Sequence, residues 1–167
     1  HTGDLLFCSV LKYQAARELA ALYAEIGDGE GAQDCRDRAE TLKRAIDVTF
    51  PAVDGLLRAS TGASAQPDVW GTAYAVYVGA LTPGKKAAAC RALANAYDAG
   101  TLAWRGNIRH VRITDDFSDA TMWERALAAK NTYQNGAYWG TPVGWVVYAI
   151  ARIDRPMAAR LAREYLA

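Results

Sequence analysis

Several patterns that mark particular functions are scarce in this 167-residue sequence. No stretch of about 18 apolar residues runs without a charge, so we expect no membrane-spanning helix. The 19 basic and 18 acidic side chains leave a formal net charge of +1, which gives no electrostatic reason to expect nucleic acid or an anionic membrane as a partner. The glycines form no phosphate-binding loop, and we expect no cofactor.

Cysteine is also scarce. The three cysteines, Cys8, Cys35 and Cys90, are odd in number and widely spaced, which is a poor basis for a disulfide framework. They form no CxxC motif and no Cys/His cluster, so the sequence predicts no metal site. We interpret them as small buried apolar side chains.

Apolar side chains are plentiful: hydrophobic residues make up 51% of the chain and charged residues 22%, which is ordinary for a globular domain. The length allows one domain with a sizeable core. The chain begins with "HTGD", without an initiator methionine or a leader pattern, so we expect a segment cut from a longer protein.

Six helices are predicted, and they alternate between two kinds. Apolar helices begin near residues 4, 68 and 137, and each is followed by a helix with one apolar and one charged face. Asp68 is expected to cap the third helix, and Thr141 with Pro142 to begin the fifth. We therefore predict an all-α fold of three αα-hairpins in two layers, the inner layer apolar and the outer amphipathic.

Two connections are longer than the usual 4–6 residues or so. Residues 49–67 and 100–136 each join an outer helix to the next inner helix, so both are expected on one face, where long ordered loops usually carry function. In the second, "LAWRGNIRHV" alternates around Gly106-Asn107 and predicts a small β-hairpin. "SDATMWERALA" predicts a short helix in the same connection.

Three strings in this arrangement resemble the six-hairpin glycosidases, whose fold is an (α/α)6 toroid. "DVWGTAYAVYVGAL" resembles an inner helix that opens with an acidic residue and a tryptophan. "YQNGAYW" running into "GTPVGW" resembles the entry to the last inner helix in the debranching-enzyme and rhamnosidase-like branches. "FPAVDGLLRAS" resembles the turn that leads from an outer helix to the next inner one. The resemblance spans nearly the whole chain.

This chain departs from the family in size, since it has three predicted hairpins instead of six. The resemblance therefore implies a partial toroid: a single all-α domain over residues 1–167 that forms the C-terminal half of a larger catalytic domain. Half a toroid would expose its inner layer, and a large exposed apolar surface favours an interface. We expect self-association through the inner helices.

Glycoside hydrolysis commonly uses two carboxyl groups, one as acid and one as base or nucleophile. Glu124 lies in the long connection beside Trp123, and an apolar ring can raise the pKa of a neighbouring acid. Asp68 opens the third helix beside Trp70. Each has a plainer interpretation: Glu124 as a surface residue in an ion pair, and Asp68 as a helix cap.

Aromatic and amide side chains near the same face suit a saccharide, because sugar rings present apolar C–H faces to aromatic rings and hydroxyls to polar groups. The predicted substrate-binding residues are Trp70, Trp104, Tyr133, Gln134, Asn135, Tyr138 and Trp139. Core packing is the alternative for the aromatic members, and it is the interpretation we adopt for Trp145.

The predicted function is that of a carbohydrate-active domain, a glycoside hydrolase acting on an oligosaccharide or glycoside, incomplete as this chain. Two alternatives stay open. One is a non-catalytic carbohydrate-binding module, in which the aromatic residues matter and the acids do not. The other is a helical-repeat interaction module, whose apolar inner layer binds protein.

Overall fold

Helices and two small antiparallel sheets alternate along the computed structural model, which describes residues 2–115, 117–118, 128–133 and 135–167. The six helices of this described part are α1 (Leu6–Glu25), α2 (Gly29–Thr49), α3 (Val69–Val78), α4 (Pro83–Asp98), α5 (Val143–Ile150) and α6 (Arg155–Leu166). The strands are β1 (Ala52–Val53), β2 (Leu56–Leu57), β3 (Ala103–Trp104), β4 (Asn107–Arg109) and β5 (Tyr138–Trp139). The prediction of an all-α partial toroid with one small hairpin is therefore wrong, because the fold is mixed.

The first sheet was missed in the connection between α2 and α3. Asp54 and Gly55 both have left-handed backbones, with φ of 51° and 85°, which is the geometry of a two-residue primed hairpin turn. The turn pairs β1 with β2, whose Leu56 and Leu57 are fully buried. A Cβ on Gly55 would lie 2.8 Å from Ala92 Cβ, so the missing side chain lets the hairpin approach α4.

The second sheet joins residues that are distant in sequence. Its hairpin turns at Arg105-Gly106, with φ of 47° and 70°, one position earlier than the predicted Gly106-Asn107. The third strand, β5, pairs Trp139 with Ile108 in β4 and lies where the sequence predicted only a helix entrance. α5 consequently begins after Pro142, at Val143.

The helices pack in sequential pairs: α1 on α2, α3 on α4 and α5 on α6. α3 also contacts both α1 and α5, and it is buried on nearly every side. Its Asp68 cap is as predicted, and its end at Gly79, with φ of 78°, is the usual glycine stop. The core runs through these contacts, and Trp145 packs on it with its ring centroid 4.6 Å from that of Tyr74.

Helix α1 departs from its predicted burial. One side carries buried residues, but Leu11, Leu19 and Leu22 on the other are 45–57% exposed. Cys8 is exposed as well, whereas Cys35 and Cys90 are buried as predicted. Self-association through this helix layer stays a prediction. Over the residues described, no helix is both long enough and apolar enough to span a bilayer.

Candidate functional site

The two long connections meet at the N-terminus of α3, as their predicted placement on one face requires. In the first, Leu57 O accepts a hydrogen bond of 2.8 Å from the backbone N–H of Asp68. In the second, His110 O accepts one of 2.8 Å from the N–H of Val69. Helix α3 thus begins between two sheets, and side chains from both connections surround its first turn.

Asp68 is a buried acid at this helix start. Its side chain is 4% exposed, and Oδ1 accepts a 3.0 Å hydrogen bond from the N–H of Gly71. Burial raises the pKa of Asp68 from 3.8 to about 6, against hydrogen bonds from the backbone of Gly71 and Trp70 that lower it. An acid that titrates near pH 6 is suited to donate a proton to a leaving group near neutral pH.

Gly71 makes this burial sterically feasible. A Cβ built on Gly71 would lie 2.4 Å from Asp68 Oδ2 and 2.7 Å from Leu6 Cδ2. Both approaches are too short for any side chain at position 71. The sequence "DVWG" therefore specifies the cap and the space that the capping carboxyl occupies.

Three of the predicted aromatic residues form a connected array that we call the aromatic wall: Tyr133, Trp139 and Trp70. The ring centroids of Tyr133 and Trp139 are 5.4 Å apart, and those of Trp139 and Trp70 are 6.2 Å apart. Tyr133 is 63% exposed, whereas the other two are half-buried. The wall therefore runs from the surface down to the first turn of α3.

The exposed end of the wall is held in an unusual backbone conformation. Tyr133 has φ of 43°, which is uncommon for a bulky residue and costs about 1–3 kcal/mol. Its carbonyl accepts a 3.1 Å hydrogen bond from Trp139 Nε1, so the two rings are also linked through the backbone. Strain of this kind is found disproportionately at binding sites.

Trp104 and Tyr138 form a separate pair. Successive residues of a strand point to opposite faces, so Tyr138 and Trp139 in β5 diverge. The Tyr138 ring lies 6.3 Å from that of the 57%-exposed Trp104, over which Arg105 is placed at 4.7 Å. The predicted sugar contacts are therefore divided between two faces of the second sheet.

Asn135 anchors the segment that carries Tyr133. It is 0% exposed, and its Nδ2 donates a 2.9 Å hydrogen bond to Ala128 O. This placement gives it a clear role in holding the loop, and its predicted contact with a sugar stays a prediction. Glu124 and Gln134, the other two members of the predicted site, lie outside the described residues.

Two further residues of the site, Arg109 and His110, follow one another at the end of β4. The side chain of Arg109 is 7% exposed, and its Nε donates to Gly136 O at 2.8 Å while Nη2 donates to Asn131 Oδ1 at 2.7 Å. Sequence reasoning missed Arg109. In the sequence, Arg109 is a charged residue next to the apolar strand residue Ile108. A strand with one exposed face gives the same pattern, so the pattern did not identify Arg109 as buried.

His110 is a neutral buried imidazole. Burial and, to a smaller extent, the positive charge of Arg109 together lower its pKa from 6.5 to about 4. Its ring stands edge-on to Trp70 at 6.0 Å and to Phe117 at 5.1 Å. It therefore packs as a flat ring between the aromatic wall and the buried guanidinium.

Several buried polar atoms around this site make no hydrogen bond within the described part of the chain: both side-chain polar atoms of Gln66, the indole Nε1 of Trp70 and Oδ1 of Asn135. Gln66 precedes the capping Asp68 by two residues, Trp70 belongs to the wall, and Asn135 anchors the loop. Leaving such an atom unpaired costs about 1–3 kcal/mol. Such atoms are usually satisfied by an ordered water or a bound ligand.

Two surface grooves lie away from this site. Two open grooves of about 620 and 390 Å³ run between α1 and α2, and neither is lined by a predicted site residue. Both grooves are open to solvent, whereas the buried acid and the aromatic wall lie at the start of α3. The described residues include no group of three or more His, Cys, Asp or Glu side chains placed to hold a metal ion.

Comparison with known proteins gives no indication of the function. No protein family, no curated protein and no solved structure matches this chain.

Proposed function

We propose that this chain is carbohydrate-active, and that it binds a saccharide along the aromatic wall with Asp68 at the inner end. The observation that carries the proposal is the decrease in solvent exposure along the wall. It runs from the exposed Tyr133 through Trp139 to Trp70, which adjoins a buried acid. An aromatic surface without a polar end would suit any apolar ligand.

A saccharide fits this combination for physical reasons. Its C–H faces stack on indole and phenol rings, while its hydroxyls need donors and acceptors. Trp70 Nε1 and the side chain of Gln66 offer both, since neither makes a hydrogen bond within the described residues. The resemblance of "DVWGTAYAVYVGAL" and "YQNGAYW" to debranching-enzyme and rhamnosidase-like glycosidases points to the same ligand class.

The reaction we propose is glycoside hydrolysis, with Asp68 as the general acid. Its pKa of about 6 leaves a substantial protonated fraction near neutral pH, which a general acid requires. Glu124 is the second carboxylate of this proposal, on the ground of its position in the long connection beside Trp123. The separation of two such carboxyl groups determines whether a glycosidase inverts or retains configuration.

Calorimetry with a panel of oligosaccharides tests sugar binding by comparing the affinity of the wild type with that of three variants. We expect Trp139→Ala and Tyr133→Ala to weaken binding by about tenfold, because each removes a stacking surface. Trp104→Ala is the matched control, since Trp104 is about as exposed as Tyr133 but lies with Tyr138 on the other face. Equal losses in all three variants, or no binding by the wild type, would refute the proposal.

A non-catalytic sugar-binding module is the second candidate, and one observation favours it. The carboxyl group of Asp68 is almost fully buried and already accepts a hydrogen bond as a helix cap. Asp68→Asn separates the two candidates, because asparagine caps a helix equally well but cannot act as an acid. Hydrolysis lost with binding kept supports catalysis; binding without hydrolysis in either protein supports the module.

A further inference from the structure

Helices α1, α3 and α5 form a layer, because α3 contacts both of the others, and aromatic rings lie on one face of it. Of the ten residues of α3, eight are buried, and the exceptions are Trp70 and the 49%-exposed Tyr77. Tyr77 lies edge-on to Tyr148 of α5, with 5.3 Å between the ring centroids. About one turn earlier, the ring of Tyr74 lies 4.6 Å from that of Trp145 in α5. The face is therefore aromatic at its centre, and the described chain leaves Tyr77 uncovered.

The three helices of this layer run in the same direction. The two ring pairs show it for α3 and α5, since the order of the paired residues is the same in both helices. In α1, Phe7 lies 5.2 Å from the ring of Tyr74, and further along Arg17 donates a 2.7 Å hydrogen bond to Val78 O. Arg17 of α1 and the last turn of α5 therefore lie at the same end of the layer, on its two opposite edges.

The edge formed by α1 carries an acid. Glu18 follows Arg17, and its Oε1 accepts a 2.5 Å hydrogen bond from Gln14 Nε2. The side-chain oxygen of Gln14 also accepts a hydrogen bond from the hydroxyl of Tyr74. Burial, and after it the negative charge of Glu18, raise the pKa of Tyr74 above its usual value. The charge of Glu18 therefore lies beside the central rings.

The edge formed by α5 carries two cations. The guanidinium of Arg152 lies 4.5 Å from the ring centroid of Tyr148 and donates to its hydroxyl. Lys86, from α4, places Nζ 6.0 Å from the same ring centroid. Neither cation forms an ion pair within the described part of the chain, and neither does Glu18. The face thus separates its charges, acidic along α1 and basic along α5, with tyrosine rings between them.

Apolar groups extend this face along both edges. Leu11 lies seven residues before Glu18 and Leu22 four residues after it, and these spacings place all three on one side of α1. The two leucines are 45% and 57% exposed. On α5, Gly144 lies one turn before Tyr148; it is exposed, and a Cβ there would meet nothing within 4 Å. The backbone of α5 is therefore open to close approach by another molecule.

We propose that this face binds the same face of a second copy of the chain, through a two-fold axis parallel to α3. Such an axis exchanges the two edges of the layer without changing the level along the helices, so Glu18 of each copy lies against Arg152 and Lys86 of the other. A two-fold axis in the interface but perpendicular to α3 would place α1 on α1 and acid against acid, which costs binding energy. The interface centres on Tyr77, about 10 Å along α3 from Trp70, so the interface and the saccharide site are independent.

Sedimentation equilibrium at low salt, over a range of protein concentrations, tests this dimer. We expect the wild type to dimerise, and Glu18→Lys and Arg152→Glu each to raise the dissociation constant by about tenfold or more, because like charges then meet at two symmetric positions. The variant with both substitutions exchanges the charges and should return the dissociation constant to within about threefold of the wild type. Glu40→Lys is the matched control, since Glu40 is exposed on α2, outside this layer, and should leave the dissociation constant unchanged.

A wild type that stays monomeric at millimolar concentration overturns the proposed interface. A dimer that Glu18→Lys and Glu40→Lys weaken equally also overturns it, and so does a dimer that the charge exchange fails to restore. Glu18 and Arg152 are both exposed, so these substitutions should keep the fold, which circular dichroism checks. If Arg152→Glu does not fold, Lys86→Glu takes its place in the charge exchange.

Discussion

Replacing Asp68 with asparagine should make the protein gain stability, relative to the wild type, as the pH rises to neutral, although it removes a charged helix cap. Asparagine accepts the hydrogen bond from the Gly71 N–H as well as aspartate does, so the start of α3 is retained. What disappears is the cost of ionising a carboxyl group that is 4% exposed. The variant therefore separates capping from burial of charge.

The magnitude follows from the pKa of Asp68, which burial raises from 3.8 to about 6. Each unit of pKa difference between the folded and unfolded states corresponds to about 1.4 kcal/mol, so the full effect is about 3 kcal/mol. The sign is set by proton binding. Between pH 4 and 6 the folded state holds the proton and the unfolded state releases it, so this contribution to stability falls as pH rises.

His110 acts in the opposite direction over nearly the same range. Its pKa is lowered from 6.5 to about 4, so the unfolded state binds the proton first, and stability rises with pH through this interval. In the wild type the two contributions oppose one another. Removing the Asp68 carboxyl leaves the His110 contribution alone, and the stability of Asp68→Asn should rise by about 3 kcal/mol from pH 4 to pH 7.

Urea unfolding of both proteins at pH 4, 5, 6, 7 and 8 measures the effect. The informative quantity is the difference in free energy of unfolding between variant and wild type, which should grow by about 3 kcal/mol between pH 4 and 7 and then level off. Any offset from the unpaired amide NH2 of the new asparagine is independent of pH and does not alter this growth.

Asp28 supplies a matched control. It caps α2 through a hydrogen bond of 2.9 Å from the N–H of Gly31, also a glycine three residues on, but its side chain is exposed. Asp28→Asn should therefore show no comparable growth with pH. A difference between wild type and Asp68→Asn that stays constant from pH 4 to 8 would contradict this prediction, because the carboxyl group would then titrate alike in the folded and unfolded states.

Two further predictions concern backbone approach and thiol exposure. Gly106→Ala should lower the free energy of unfolding by about 2–4 kcal/mol, because the position has φ of 70° and a Cβ would lie 2.2 Å from the backbone of α6. Gly84→Ala is the control, because a Cβ there meets nothing within 4 Å, and it should change the free energy of unfolding by less than about 1 kcal/mol. Equal losses of stability in the two variants on thermal unfolding would contradict the packing of the turn on α6. A maleimide should modify Cys8 in the native protein and reach Cys35 and Cys90 only after unfolding. Peptide mass spectrometry showing equal native rates at all three would contradict the described burial.

The helices could be predicted because their signals are local. A helix is held by hydrogen bonds between residues four apart, and its start is marked by a cap that binds within three residues, as Asp68 binds Gly71. The uniform apolarity of α3 indicated a buried helix, and it is one. One local signal was present and missed: Asp54-Gly55 is a strong hairpin pair, and it forms the turn of the first sheet.

The second sheet could not be predicted in the same way. β5 has two residues and pairs with β4 across the long connection, Trp139 opposite Ile108, so no local periodicity marks it. That pairing also decides the site. It sends Tyr138 and Trp139 to opposite faces and so divides a set of aromatic residues that looks uniform in sequence.

The helices, the cap at Asp68 and the number of aromatic residues in the long connections follow from the amino-acid sequence alone, because they depend on neighbours along the chain. Which of those residues contact one another depends on the tertiary fold. The raised pKa of Asp68 and the partners of Arg109 arise from burial, and burial depends on elements that are distant in sequence. The sequence specifies which side chains can carry a charge, whereas the hydration and the counter-charges of each side chain depend on the segments packed around it.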